Sequence, residues 1–150
     1  MTSNEIITLL PYTEPFLFVD GISEISENGV VGSYTFKEDS FFYQGHFKDF
    51  PVTPGVILTE AMAQIGVVCL GIYLLQDELK KLKKPQIALT SNEVEFLKPV
   101  FPGEKVTVTS EKIYFRFGKL KCKVEMKNQN EEIVCQGTIA GMIKIATNNL

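Results

Sequence analysis

Apolar positions follow two rhythms along the chain. From Val56 to about Lys83 they recur at helical spacing and cover nearly every face as far as Leu75. Gln76-Asp77-Glu78 and the lysines at 80, 81, 83 and 84 then turn the pattern polar. One long helix is predicted there, and a helix apolar all round is a buried one. Elsewhere, short runs of β-branched and aromatic residues predict strands from Phe16 to Ile25, Val30 to Phe36, Ile87 to Leu97, Lys105 to Phe117, Leu120 to Lys127 and Ile133 to Ile145. Asn28-Gly29, Pro102-Gly103, Gly118 and Asn128-Gln129-Asn130 supply the turns. Ser3 is expected to cap a short helix through Leu10, stopped by Pro11, and Asp39-Ser40 to cap one turn before Gln44-Gly45-His46. The predicted architecture is α+β: a strongly bent antiparallel sheet wrapped around one central helix, as a single domain over residues 1–150.

Composition narrows the function more than the fold. A chain of 150 residues with 45% hydrophobic side chains can bury a core without disulfides. Its formal net charge of -3 leaves no bulk basic surface, so a nucleic-acid partner is not expected. Cys69, Cys122 and Cys135 are odd in number, lack paired spacing and sit among apolar neighbours, as reduced thiols in a cytoplasmic protein would. Met1 to Glu5 carries no basic n-region, so no signal peptide is expected. The uncharged stretch Ala61 to Leu75 is fifteen residues, short of the roughly 20 a spanning helix requires, so no membrane insertion is expected.

Charge is unevenly placed. Residues 1–60 hold two lysines against nine acids, and residues 76–150 hold thirteen basic residues against nine acids. The lysines after the long helix fit a helix C-terminus complementing its dipole. They equally fit a basic rim that receives an acidic partner, joined by Arg116, Lys119, Lys121 and Lys123.

The chemistry must run through very few groups. His46 is the only histidine, and no CxxC or HxxxH spacing is present, so no metal site is expected. His46 lies at a break between elements, where a side chain faces either a cleft or a packed corner. Glu60 lies on the apolar helix with no Lys or Arg in the fifteen positions after it. Such a carboxyl either packs against a partner or stays protonated and works as an acid near neutral pH. Pro54-Gly55-Val56 opens the same helix. Its first N–H groups have no intrahelical acceptor, so the turn is either a simple helix start or a donor pair for an oxygen that becomes negative.

Together these residues resemble a known family. Gly45-His46-Phe47, Pro51-Val52, Pro54-Gly55-Val56 and Glu60-Ala61-Met62-Ala63-Gln64 are similar to the active-site block of the 3-hydroxyacyl-[acyl-carrier-protein] dehydratases. The fourteen-residue step from His46 to Glu60 matches that family's His and acid. The resemblance continues in Leu10-Pro11, Pro15-Phe16-Leu17-Phe18-Val19-Asp20, Val94-Glu95-Phe96-Leu97-Lys98-Pro99-Val100 and Pro102-Gly103-Glu104. It implies a hotdog fold, dimerised edge to edge or assembled further from dimers, with each site built from the His of one protomer and the acid of the other. His46 would then take the C2 proton of a 3-hydroxyacyl thioester, and Glu60 would protonate the departing hydroxyl. Gly55 and Val56 would hold the thioester oxygen, and Gln64 would orient the acid. The partner implied is an acyl carrier protein, and no cofactor is implied.

Glu at the acid position, with Ala63 where the isomerising branch has Trp, resembles the dehydratase-only branch. Tyr12-Thr13-Glu14 stands where His-Arg-Tyr is usual, and Lys48-Asp49-Phe50 where Pro-Gly-His is usual. These departures lie near the expected mouth and acyl tunnel, which leaves fatty-acid and polyene or polyketide elongation both open. The alternatives are a hotdog acyl thioesterase and a non-catalytic hotdog subunit of a heteromer.

Overall fold

A computed structural model describes residues 1–81 and 83–146. Helix α1 (Ser3–Leu9) leads into strands β1 (Gly21–Ser26) and β2 (Gly29–Thr35), followed by a 3-10 turn at Phe41–Gln44. The central helix runs over Gly55–Leu74, and a one-turn helix follows at Gln76–Leu79. Strands β3 (Lys84–Phe96), β4 (Lys105–Arg116), β5 (Lys119–Lys127) and β6 (Ile133–Ala146) complete a six-stranded sheet in the order β1-β2-β4-β5-β6-β3. All five pairings are antiparallel. The sheet closes around the central helix as the apolar rhythm predicts.

Alternation along the strands explains the wrapping. On β5, Leu120, Cys122, Val124 and Met126 turn inward and are buried, while Lys119, Lys121 and Lys123 alternate with them and face outward. The inward residues meet Ile65, Val67, Val68 and Leu70 of the helix in one core. Gly137 on β6 allows β3 to lie close: a Cβ there would stand 1.9 Å from the Glu93 carbonyl oxygen.

The central helix departs from its predicted span. By length and mean hydropathy (1.8) it could cross a membrane, yet 78% of its 18-residue apolar stretch is buried inside the protein, as in a core helix. It reaches this length because it begins at Gly55 and carries Glu60, which the fifteen-residue uncharged run does not count. It also ends at Leu74 instead of about Lys83. Leu75 leaves helical geometry (φ -104°, ψ 17°), and the Gln76 amide donates back to the Tyr73 carbonyl at 3.0 Å. Past Leu75 the chain has lost the apolar stripe that held the helix in the core. Midway, Gln64–Cys69 widens to π-type pitch, and the Ser110 hydroxyl donates to the Gly66 carbonyl at 2.8 Å.

Two further expectations shift. Residues 16–20 are not strand; β1 starts at Gly21, because a side chain of the central helix takes the backbone groups of that segment. Thr2, not Ser3, caps α1, its hydroxyl accepting from the Glu5 N–H at 3.2 Å, while the Ser3 hydroxyl donates to the Ile22 carbonyl. The 3-10 turn begins after Ser40 without a side-chain cap; Ser40 donates instead to the Lys37 carbonyl.

Candidate active site

The segment between the 3-10 turn and the central helix carries His46. Its backbone folds on itself: Val52 N–H donates to the His46 carbonyl at 2.9 Å, and Phe47 N–H to the Phe50 carbonyl at 2.8 Å. The His46 ring lies 2.8 Å from the Val52 carbonyl through Nδ1. A carbonyl only accepts, so Nδ1 carries the hydrogen and, in the neutral ring, Nε2 is left with its lone pair. The ring is half-buried and stacks on Phe47 at 4.0 Å between centroids.

Glu60 projects from the first half of the central helix, half-buried. Gln64, one turn on and fully buried, donates through Nε2 to Glu60 Oε2 at 2.9 Å and to the Phe16 carbonyl at 3.0 Å. Its Oε1 accepts from the Phe18 N–H at 2.8 Å. Every polar atom of the amide is thus used, and its orientation is fixed by the backbone of residues 16–18. Burial pushes the Glu60 carboxyl above its ordinary value, and the Gln64 hydrogen bond opposes that shift. With Oε2 taken by Gln64, Oε1 is the oxygen free to carry an acidic proton.

At the start of the same helix, Pro54 is the N-cap and offers no side-chain acceptor. The Ile57 and Leu58 N–H groups bond back to the Pro54 carbonyl, so those of Gly55 and Val56 precede the intrahelical ladder. Val56 is 76% exposed, and a Cβ at Gly55 would come within 3.2 Å of the Phe96 ring. A cleft lined by Thr53, Gly55, Leu58, Phe96 and Pro99 opens beside this turn. A larger groove lies elsewhere, between Glu93, Glu95, Glu111 and Glu125; Lys123 lines it, and His46, Gly55, Val56, Glu60 and Gln64 do not.

The chain therefore brings Glu60 and Gln64 into direct contact and puts Gly55 and Val56 on their helix. His46 is bonded to Val52 and to neither Glu60 nor Gln64. Phe47 stacks on its ring, and Phe41, Phe47, Phe50, Phe96, Leu97 and Phe101 are exposed apolar side chains.

A family model described as a FabA-like domain matches residues 10–138. The chain belongs to the FabA-like family. It is 41% identical over 143 residues to a Clostridium perfringens protein named 3-hydroxyacyl-[acyl-carrier-protein] dehydratase FabZ, covering 93% of this chain and 96% of that one. A Geotalea uraniireducens protein of the same name is 39% identical over 119 residues, covering 79% and 80%. Among solved structures, the dehydratase heterocomplex ApeI:P from Xenorhabdus doucetiae superposes with a TM-score of 0.77 at 14% identity, covering 96% of this chain and 92% of that chain. A hypothetical thioesterase with coenzyme A from Streptococcus pneumoniae gives 0.62 at 18% identity, covering 82% and 84%. The last two show the hotdog fold alone.

Within this FabA-like frame, Tyr12 stands at one of the positions where the chain departs from the family pattern. Burial raises its phenol well above the ordinary value, with the Glu60 and Cys69 charges adding to it, and its ring lies 6.4 Å from that of Phe16.

Proposed function

We propose that this protein dehydrates a 3-hydroxyacyl-[acyl-carrier-protein] to the trans-2-enoyl thioester during fatty-acid elongation, as one catalytic domain working as a homodimer in the cytoplasm. The observation that carries the reading is the Glu60–Gln64 pair: a carboxyl with a raised pKa, one oxygen held and the other free. Hydroxide is a poor leaving group, so an acid must deliver a proton as the C3–O bond breaks. Glu60 does this through Oε1, and water leaves. His46 Nε2 takes the C2 proton, and the electrons of that C–H bond become the C2=C3 double bond. The Gly55 and Val56 N–H groups hold the thioester oxygen while it gathers negative charge. Afterwards the imidazolium proton is lost and Glu60 regains one, so the enzyme is reset without a cofactor.

Two observations support a site shared between protomers. His46 makes no hydrogen bond to Glu60 within one chain. The edge strand β3 and the His46 segment also expose apolar side chains, including Leu89, Phe96, Phe47 and Phe50. Edge strands present unpaired backbone groups, and contiguous apolar surface marks an interface or a ligand groove. A second copy paired along β3 covers both and faces one His46 toward the other Glu60. On the outer face, Arg116, Lys119 and Lys121 form the basic surface for the acidic carrier protein, with Arg116 stacked on Tyr114 at 4.4 Å.

The test follows products of a 3-hydroxyacyl carrier-protein substrate. Enoyl thioester without free thiol is expected. Release of free thiol without enoyl product would replace this reading with thioester hydrolysis.

A further inference from the structure

Resting on the dehydratase reading above, we propose that the buried Tyr43–Thr53 hydroxyl pair is a positioning clamp that sets where His46 stands relative to the start of the central helix. The bonds that orient the His46 ring are internal to its loop: His46 to Val52 in both directions, and Phe47 to Phe50 in both directions. Bonds of that kind orient the ring only while the loop itself keeps a single register. Besides the Phe50–Phe101 ring contact at 5.9 Å between centroids and the long Gly45–Phe42 backbone bond at 3.4 Å, three hydrogen bonds tie the loop to its surroundings. His46 N–H donates to the Phe42 carbonyl at 3.0 Å, and Thr53 N–H to the Val100 carbonyl at 2.9 Å. The third is the only one of the three made between side chains: the Tyr43 and Thr53 hydroxyls meet at 2.6 Å, closing the ten-residue step across the base of the loop.

This pair has the properties of a built latch. Both residues are buried, and their separation is at the short end for O–H···O bonds. Tyr43 packs on Phe42 with ring centroids 4.6 Å apart, so its hydroxyl is the polar tip of an apolar body. Either hydroxyl can donate, and burial holds the Tyr43 phenol neutral, so the bond persists across the working pH range. Two apolar side chains would fill the same space without fixing a single loop register; a directional bond fixes it. Thr53 immediately precedes Pro54, whose carbonyl takes the first bonds of the central helix. One end of the latch is therefore continuous with the Gly55 and Val56 donors, and the other stands three residues before His46. The pair sets the separation between base and oxyanion donors, and acts on catalysis only through His46.

The test uses Tyr43→Phe, Thr53→Val, the double variant, and Thr53→Ser as the rescue that keeps the hydroxyl. Each hydroxyl deletion is expected to lower kcat by roughly 10- to 100-fold, the scale of a small misplacement of reacting groups, with KM little changed. The double variant is expected to fall no further than the worse single, and Thr53→Ser to stay within about threefold of wild type. Nitrogen-15 NMR of the ring gives a readout that loss of packing would not move. His46 is the only histidine, so its ring signals are unambiguous. Wild type is expected to show one neutral tautomer with the hydrogen on Nδ1; the two deletions are expected to show a mixture of tautomers, or faster exchange of that hydrogen, beside the fall in urea midpoint that an orphaned buried hydroxyl brings. Unchanged kcat and an unchanged ring in both single variants would overturn the clamp, as would losses that multiply in the double variant. The ring measurement requires no substrate. A wild-type protein that fails to dehydrate would sink the functional reading, and the ring would still decide the clamp.

Discussion

Replacing Gln64 with Met keeps most of the side chain's volume and removes all three of its hydrogen bonds. Two of the partners left behind, the Phe18 N–H and the Phe16 carbonyl, are backbone groups held at 2.8 and 3.0 Å by a fully buried amide. A buried donor left without a partner costs about 1–3 kcal/mol, so the Phe18 N–H alone costs about that much, and the part-buried Phe16 carbonyl adds less. That is a large share of the roughly 5–15 kcal/mol by which a domain is normally stable. Residues 16–18 are the part expected to loosen, because Asp20 beyond them is already bonded to β2 through Ser33 and Thr35. Urea denaturation reads the loss, and hydrogen exchange at the Phe18 amide reads its location. A variant within about 0.5 kcal/mol of wild type, below the cost of even one orphaned group, with Phe18 still protected, would show that the amide is not what holds this segment.

Glu60→Gln is expected to lower turnover by about 10²–10⁴, the usual worth of one positioned proton transfer, as measured in single-turnover dehydration. The same variant carries a stability signature. The folded-state pKa of Glu60 lies above the ordinary value, so the folded chain holds more protons than the unfolded one between those two pH values. Stability from this group is full below the ordinary carboxylate pKa and is lost as pH rises through the raised one. Glu60→Gln should therefore gain relative to wild type as pH increases through that window, which urea midpoints across a pH series will show. Gly137→Ala places a Cβ 1.9 Å from the Glu93 carbonyl and must push β3 from β6; a destabilisation of about 1–3 kcal/mol or more is expected by thermal unfolding. Burial pushes the Cys69 and Cys135 thiols up to about 12, so mass spectrometry should find neither alkylated in the native protein at pH 8, and both after unfolding.

Much of this was legible because one period marks a helix and another marks strands. Inward residues of β5 alternate with lysines, and the central helix is apolar around its circumference, so a sheet wrapped on a helix follows from the pattern alone. The His46-to-Glu60 spacing stood out only through its resemblance to the dehydratase family; each residue by itself was open between packing and catalysis. What escaped the sequence were contacts between distant positions. Gln64 reaches back 46 residues to Phe18, and that bond turned a predicted strand over residues 16–20 into a tethered loop. The helix end at Leu75 depends on the loss of a buried face, not on any Gly or Pro. The Tyr43–Thr53 bond joins two residues that read individually as ordinary loop and core positions.

The account rests on one dimer site built from His46 of one protomer and Glu60 of the other. Mixing His46→Ala with Glu60→Ala protein under conditions that exchange subunits tests this directly. Each variant alone is expected to be nearly inactive on a 3-hydroxyacyl carrier-protein substrate. The mixture is expected to regain part of the wild-type rate, because each hybrid dimer holds one intact His46–Glu60 pair. Hybrids shown to form, yet without recovered dehydration, would contradict the shared site.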